Sequence, residues 1–231
     1  MADENTTPEI IETTIRDLDP RFIRQLENAE KSIDKNPAYV IDICSTILAK
    51  YPSCVEVRKI LRQAQFKKYG KGSPVAKIVA TIQGLIFSMQ AGAKIKKGQA
   101  LEVMADAEKM LSVCPQNEGA LKTLATAAES LQYWGTVAEA YQAISQFKSD
   151  DEKTLLALAG ALVKSKQPDS AMQVCERILR KNPSNGDAQA LARSASVIKT
   201  MDKGDWEDTN KSATEKQKDA EEKQARKGQS A

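Results

Sequence analysis

The residues from Glu152 to Asn185 set a pattern that the rest of the chain repeats. Leu155, Leu158 and Leu162 recur at three- and four-residue steps around the small Ala159 and Gly160, which places one apolar stripe on a helix. Pro168 fits the first turn of a second helix, where its missing N–H would have had no partner anyway. The buried face of that helix is predicted to be Ala171, Cys175, Ile178 and Leu179. Asn182 and Pro183 stop it, because the residue before a proline is driven out of the helical region. Two antiparallel helices of this length cannot bury both stripes alone, so the hairpin needs neighbours on either side. Moving the block in steps of 34 residues supplies them, as Glu118 to Asp151 and Gly84 to Asn117. Val103, Val137 and Ala171 then share one column, Ala107, Tyr141 and Cys175 a second, and Met110, Ile144 and Ile178 a third. Pro115, Ser149 and Pro183 close the units. A further copy spans Arg21 to Cys54, with Val40, Cys44, Ile47, Leu48 and Pro52 in the corresponding places.

This pattern resembles the tetratricopeptide repeat, a helix-turn-helix with a large residue, a leucine, a small residue and an aromatic on its first helix. On the second helix that family has a small residue, an aromatic and a closing proline. The resemblance covers roughly two thirds of the chain. Leu155 and Leu162 stand at the aromatic positions of the last first helix, and Leu121 and Ala128 at those of the one before. The resemblance implies an all-α solenoid of stacked hairpins with a terminal capping helix. It also implies an adaptor or scaffold that holds a protein partner, as peptide, helix or filament surface, on the concave face lined by the first helices. Here that face would carry Lys122, Thr126, Glu129, Lys153, Leu156, Gly160 and Lys164. Gly160, Thr126 and Ser194 leave room for a ligand, and Lys122 and Lys153 are placed to receive an acidic group. Chaperone-type members clamp a C-terminal carboxylate with lysines, asparagines and an arginine. The matching places here are Gln25, Ala29, Met89, Gly119 and Thr123, so that activity is not implied. Repeats followed by the MDKGDW run are similar to bacterial members of the family. Some of these resemble kinesin light chains and decorate tubulin-like filaments, and an acidic filament would suit the basic stretch described below.

The chain divides by composition. Residues 1–20 form an acidic arm, in which Thr7 and Pro8 start a helix bearing Ile10, Ile11, Ile15 and Leu18. Its expected role is to cover the open end of the first repeat. Residues 21–66 are a hairpin plus a packing helix from Val55, and 67–74, KKYGKGSP, form a basic linker with two glycines, a serine and a proline. Residues 75–200 are a three-repeat array, capped by a helix over Asn185 to Thr200 that uses Leu191, Ala195 and Ile198. Residues 201–231 are charged, and past Trp206 no large hydrophobe offsets the entropy of ordering. Trp206 is read either as an anchor folded back on the cap helix or as a partner contact.

Composition removes several chemistries. The 231 residues include no histidine, which excludes imidazole acid–base work and histidine triads and leaves few zinc sites. Cys44, Cys54, Cys114 and Cys175 show no CxxC spacing and are read as reduced thiols serving as small hydrophobes. A lone cysteine nucleophile has no evident base, and GKGSP lacks the lysine-serine ending of a phosphate loop. No enzyme, cofactor or metal site is expected. The acidic N-terminus lacks the form of a secretory signal. Ile78 to Ala93, the most apolar stretch, is too short and polar to span a bilayer, so a cytoplasmic protein is expected.

Charge is segregated. Between Val57 and Leu101 stand Arg58, Lys59, Arg62, Lys67, Lys68, Lys71, Lys77, Lys94, Lys96 and Lys97, with no acid. The whole chain carries +3, so the remainder is about −7. Such asymmetry concentrates an anionic partner by long-range attraction. Acidic protein ranks above nucleic acid, because Phe66 and Tyr69 among the lysines belong to no recognised nucleic-acid motif. The alternative function is a peripheral binder of anionic membrane or nucleic acid that uses this segment, with the repeats as support.

Overall fold

The computed structural model describes residues 12–69 and 74–201, and among these every regular element is a helix. A 3-10 turn over Ile15–Asp17 leads into α1 (Pro20–Glu30), α2 (Pro37–Lys50) and α3 (Val55–Tyr69). Then follow α4 (Pro74–Lys96), α5 (Ala100–Leu111), α6 (Glu118–Ser130), α7 (Trp134–Phe147), α8 (Glu152–Lys164) and α9 (Pro168–Lys181). A final helix, α10, runs over 186–201. From α5 to α9 each helix packs on the next, and α4 packs chiefly against α6, giving the stacked all-α hairpins expected of the solenoid. The helix start at Thr7 and Pro8 with Ile10 and Ile11, Lys71, the side chain of Lys77, and Trp206 with its tail lie outside the described residues.

The repeat is written in backbone chemistry as well as in core residues. Asn117, Asp151 and Asn185, one repeat apart, each cap the helix that follows. Their side-chain oxygens accept from the N–H of Ala120 (3.1 Å), Thr154 (3.0 Å) and Ala188 (2.8 Å). Each bond satisfies a donor that a helix start leaves without a partner. At the far end of the first helices, Gly98, Gln132 and Lys166 hold φ values of 79°, 60° and 54°. The next N–H groups, of Gln99, Tyr133 and Gln167, reach back to the carbonyls of Lys94, Ala128 and Leu162. This left-handed stop turns the chain sharply into each second helix. The α1–α2 connection instead passes through turns over 31–35 with no left-handed residue, so the first hairpin departs from the register of the other three.

Two cores result. Leu26, Val40, Cys44, Ile47, Val57 and Leu61 unite α1, α2 and α3, while Val103, Ala107, Leu121, Leu124, Ile144 and Leu158 unite the array. Leu155, Ile178 and Ala188 join α8, α9 and α10 in a smaller cluster. Each large aliphatic side chain taken out of water in this way contributes about 1.5–3 kcal/mol. Cys44, Cys54 and Cys175 are core residues, and burial pushes the Cys44 thiol up to about 12 and that of Cys54 up to about 11. Where α4 crosses α6, a side chain on Gly119 would stand 2.9 Å from the Gly84 carbonyl carbon, so the two backbones meet at paired glycines. Two boundaries differ from the sequence reading. The helix α3 continues past Phe66 to Tyr69, and α4 starts at Pro74, ten residues before the repeat unit at Gly84.

Two substitutions probe the repeat chemistry in opposite directions, read by urea unfolding. Asp151→Ala removes a cap and is expected to cost about 1 kcal/mol. Gln132→Gly relieves a left-handed residue with a β-carbon and is expected to stabilise by about 0.5–1 kcal/mol. The Thr154 hydroxyl and N–H hold the Asp151 carboxyl below its usual value, burial opposing them. Its contribution is therefore complete above the ordinary carboxylate range and lost as pH falls through the lowered value. The difference between wild type and Asp151→Ala is expected to shrink on acidification in that window.

Candidate functional site

The residues expected on the first-helix face divide into two groups. Lys122, Thr126, Glu129 and Lys153 are exposed on α6 and α8, on helices whose opposite faces supply Leu121, Leu124, Leu155 and Leu158 to the core. Lys122 is held by Glu118 at 2.8 Å, and Glu118 also binds Lys148 at 2.6 Å, tying the start of α6 to the end of α7. Burial alone would raise the Glu118 carboxyl, but the two lysines keep it below its usual value. Of the remaining three, Leu156 and Gly160 are half-buried and Lys164 is exposed. Leu156 is half-buried against the cluster under α10, and a side chain on Gly160 would touch Leu191 of α10 at 4.0 Å. A β-carbon at Gly160 would thus meet the last helix only at ordinary van der Waals distance, which leaves space beside it. Lys164 lies with its Nζ 3.8 Å from the centre of the Trp134 ring, a cation–π contact.

The basic stretch is also divided. Lys59, Lys68, Lys96 and Lys97 are exposed, with Lys68 stacked on Tyr69 at 4.8 Å. Lys94 pairs with Glu102 at 2.7 Å and Asp106 at 3.3 Å, and Lys67 pairs with Asp34. Arg58 and Arg62 correct the sequence reading outright, being 1% and 3% exposed. They form no part of a surface patch.

Instead they form a polar seam where α3 lies across α5 and α7. Arg58 Nε donates to Glu108 at 2.9 Å, Nη1 to the Thr136 hydroxyl at 2.8 Å and Nη2 to the Pro52 carbonyl at 2.8 Å. Arg62 Nη2 donates to both Glu108 oxygens at 3.2 Å, Nε to Glu139 at 3.2 Å and Nη1 to Gln65 at 2.5 Å. Gln65 passes the network to Ser112 at 3.3 Å. The arm enters as well: Glu12 accepts from the N–H of Gly135 (2.6 Å) and of Thr136 (2.8 Å), and from the Thr136 hydroxyl (2.9 Å). Glu12 thus caps α7, whose own N-cap residue Tyr133 provides no side-chain bond. The sequence reading missed Glu12, Glu108, Thr136 and Glu139. The signal that was present is the spacing of Arg58, Arg62 and Gln65, a polar stripe at helical steps directly beside the apolar Val57, Leu61 and Ala64.

Two clefts flank α3. One, of about 290 Å³, separates Leu48, Ala49 and Leu61 from Leu101, Met104 and Ala105 of α5. The other, of about 590 Å³, opens between α3, α7 and α9 down to Leu158 and Leu162 of α8. Glu139 lies at its side, and its Oε2 has no hydrogen-bond partner among the described residues. Burial pushes the Glu139 carboxyl above its usual value, against the pull of Arg62 and with a further push from Glu108.

The seam makes separable predictions. Arg62→Leu leaves Glu108 and Glu139 without their shared cation and is expected to destabilise by about 3–5 kcal/mol in urea unfolding. Adding Glu139→Leu is expected to recover part of that loss, since one stranded carboxylate disappears. A carboxyl raised in the folded state binds its proton more tightly there than in the unfolded chain. Its contribution is full below the ordinary value of 4.5 and is lost as pH rises through the raised value. The stability of wild type minus that of Glu139→Gln is therefore expected to fall with rising pH across that window.

Comparison with curated proteins and with solved structures returned no match. Residues 135–195, from the first turn of α7 into α10, match the family described as Tetratricopeptide repeat, whose members serve generally as modules for protein–protein interaction.

Proposed function

We propose that the chain is a non-enzymatic adaptor that holds a segment of a protein partner, an extended peptide or a helix, against the concave face built by α6 and α8. The observation that carries this reading is the exposed lane of Lys122, Thr126, Glu129 and Lys153 on helices whose buried sides are fully committed to the core. A surface held by stacked helices is ordered before the ligand arrives, so binding gives up less entropy. Lys59, Lys68, Lys96 and Lys97 add positive field that speeds the encounter with an acidic partner, of which an acidic filament surface is the specific form. A reducing, cytoplasmic setting suits four cysteines that form no disulfide. The rival reading, in which the basic segment itself grips anionic membrane or nucleic acid, is weakened by the loss of Arg58 and Arg62 to the seam. No described helix is long and apolar enough to cross a membrane.

Affinity capture from native lysate with quantitative mass spectrometry tests the lane. Lys122→Glu with Lys153→Glu is expected to lower recovery of the captured protein by about tenfold or more, with helicity unchanged, as loss of about 1.4 kcal/mol or more requires. Capture that survives this pair but collapses with Lys96→Glu and Lys97→Glu, or with rising ionic strength, would move the site to the basic segment.

A further inference from the structure

We propose that the cleft between α3, α7 and α9 is the seat of the chain's own C-terminal segment, with the Trp206 indole on its floor. The cleft lies beside second helices, away from the lane of the adaptor reading, and the inference stands independently of it. At about 590 Å³ it falls within the range of roughly 300–1,000 Å³ typical of ligand sites. Its floor is apolar, formed by Phe66, Leu158, Leu162 and Val174, and Lys59 stands exposed at the α3 rim. A single indole, which buries about 150–250 Å², suits such a floor.

The position of the end of α10 points to the occupant. Lys199 near the end of α10 binds Asp169 at 2.5 Å, and Asp169 directly precedes Ser170 on the wall of the cleft. The chain continues for thirty residues past Met201. Trp206 lies five residues on, and five extended residues reach about 17 Å. That is sufficient to pass from the first turn of α9 into a cleft walled by Gln167, Ser170, Gln173 and Val174. Trp206 is also the one large apolar side chain in 202–231, so this segment has a single anchor. Around it stand Asp202, Asp205, Glu207 and Asp208 against the single Lys203, so the run is acidic on balance and opposite in sign to Lys59. The competing seat is α10 itself, where Val197 and Met201 are 58% and 65% exposed.

Photo-cross-linking on the full chain separates the two. With benzoylphenylalanine in place of Trp206, irradiation is expected to give a monomeric product joined to peptides of α3, α7 or α9. Joining to α10, a dimeric product, or no product would overturn the proposal. Fluorescence provides an independent reading: in a Trp134→Phe chain, Trp206 is the sole indole. Its emission is expected to be blue-shifted and shielded from acrylamide relative to a peptide of residues 200–212. Lys59→Glu with Gln142→Glu is expected to return it to the peptide value, and Val197→Ser to leave it unchanged. Emission equal to that of the free peptide, release by Val197→Ser, or shielding that disappears on dilution would each refute the seat.

Discussion

The arrangement of this molecule depends on two arginines almost wholly withdrawn from water. Arg62 lies among Glu108 of α5, Glu139 of α7 and Gln65 of its own helix, and Arg58 joins Glu108 to Thr136. Desolvating a guanidinium costs several kcal/mol, and only a complete set of acceptors offsets it. The two N-terminal turns of α3 are therefore committed to one position over α5 and α7. A purely apolar contact between the same helices would tolerate sliding, whereas directional bonds to both partner helices do not.

This seam changes what the repeats are asked to do. In an ordinary solenoid each hairpin touches only its neighbours, and stability is the sum of units and interfaces. Here α3 packs on α2 and skips to α7, so the first hairpin is braced against the array from the side. Phe66 continues the contact into the array core, where it meets the side of the larger cleft. The polar and apolar parts of α3 thus divide the labour, the first specifying register and the second supplying burial.

Much of the array was legible because its signals are local and recur. Leu155, Leu158 and Leu162 declare a helix face within eight residues, and Pro168 and Pro183 mark its partner's ends. The start of α9 at Pro168 and the burial of Ala171, Cys175 and Ile178 follow from that reading. The seam was illegible for the opposite reason. Glu108 and Glu139 stand 46 and 77 residues from Arg62, and nothing in a run of like charges says whether it faces water or a distant acid.

The carboxylate of Glu12 has one more consequence, which concerns the order of assembly. Its bond to Gly135 closes a loop of 123 residues, and the entropy of bringing such distant points together is about 4 kcal/mol for a flexible chain. Hairpins that close over a few residues are formed on far shorter timescales. The contact between Glu12 and α7 is therefore expected to form after the local hairpins, so that α7 acquires its N-terminal acceptor late.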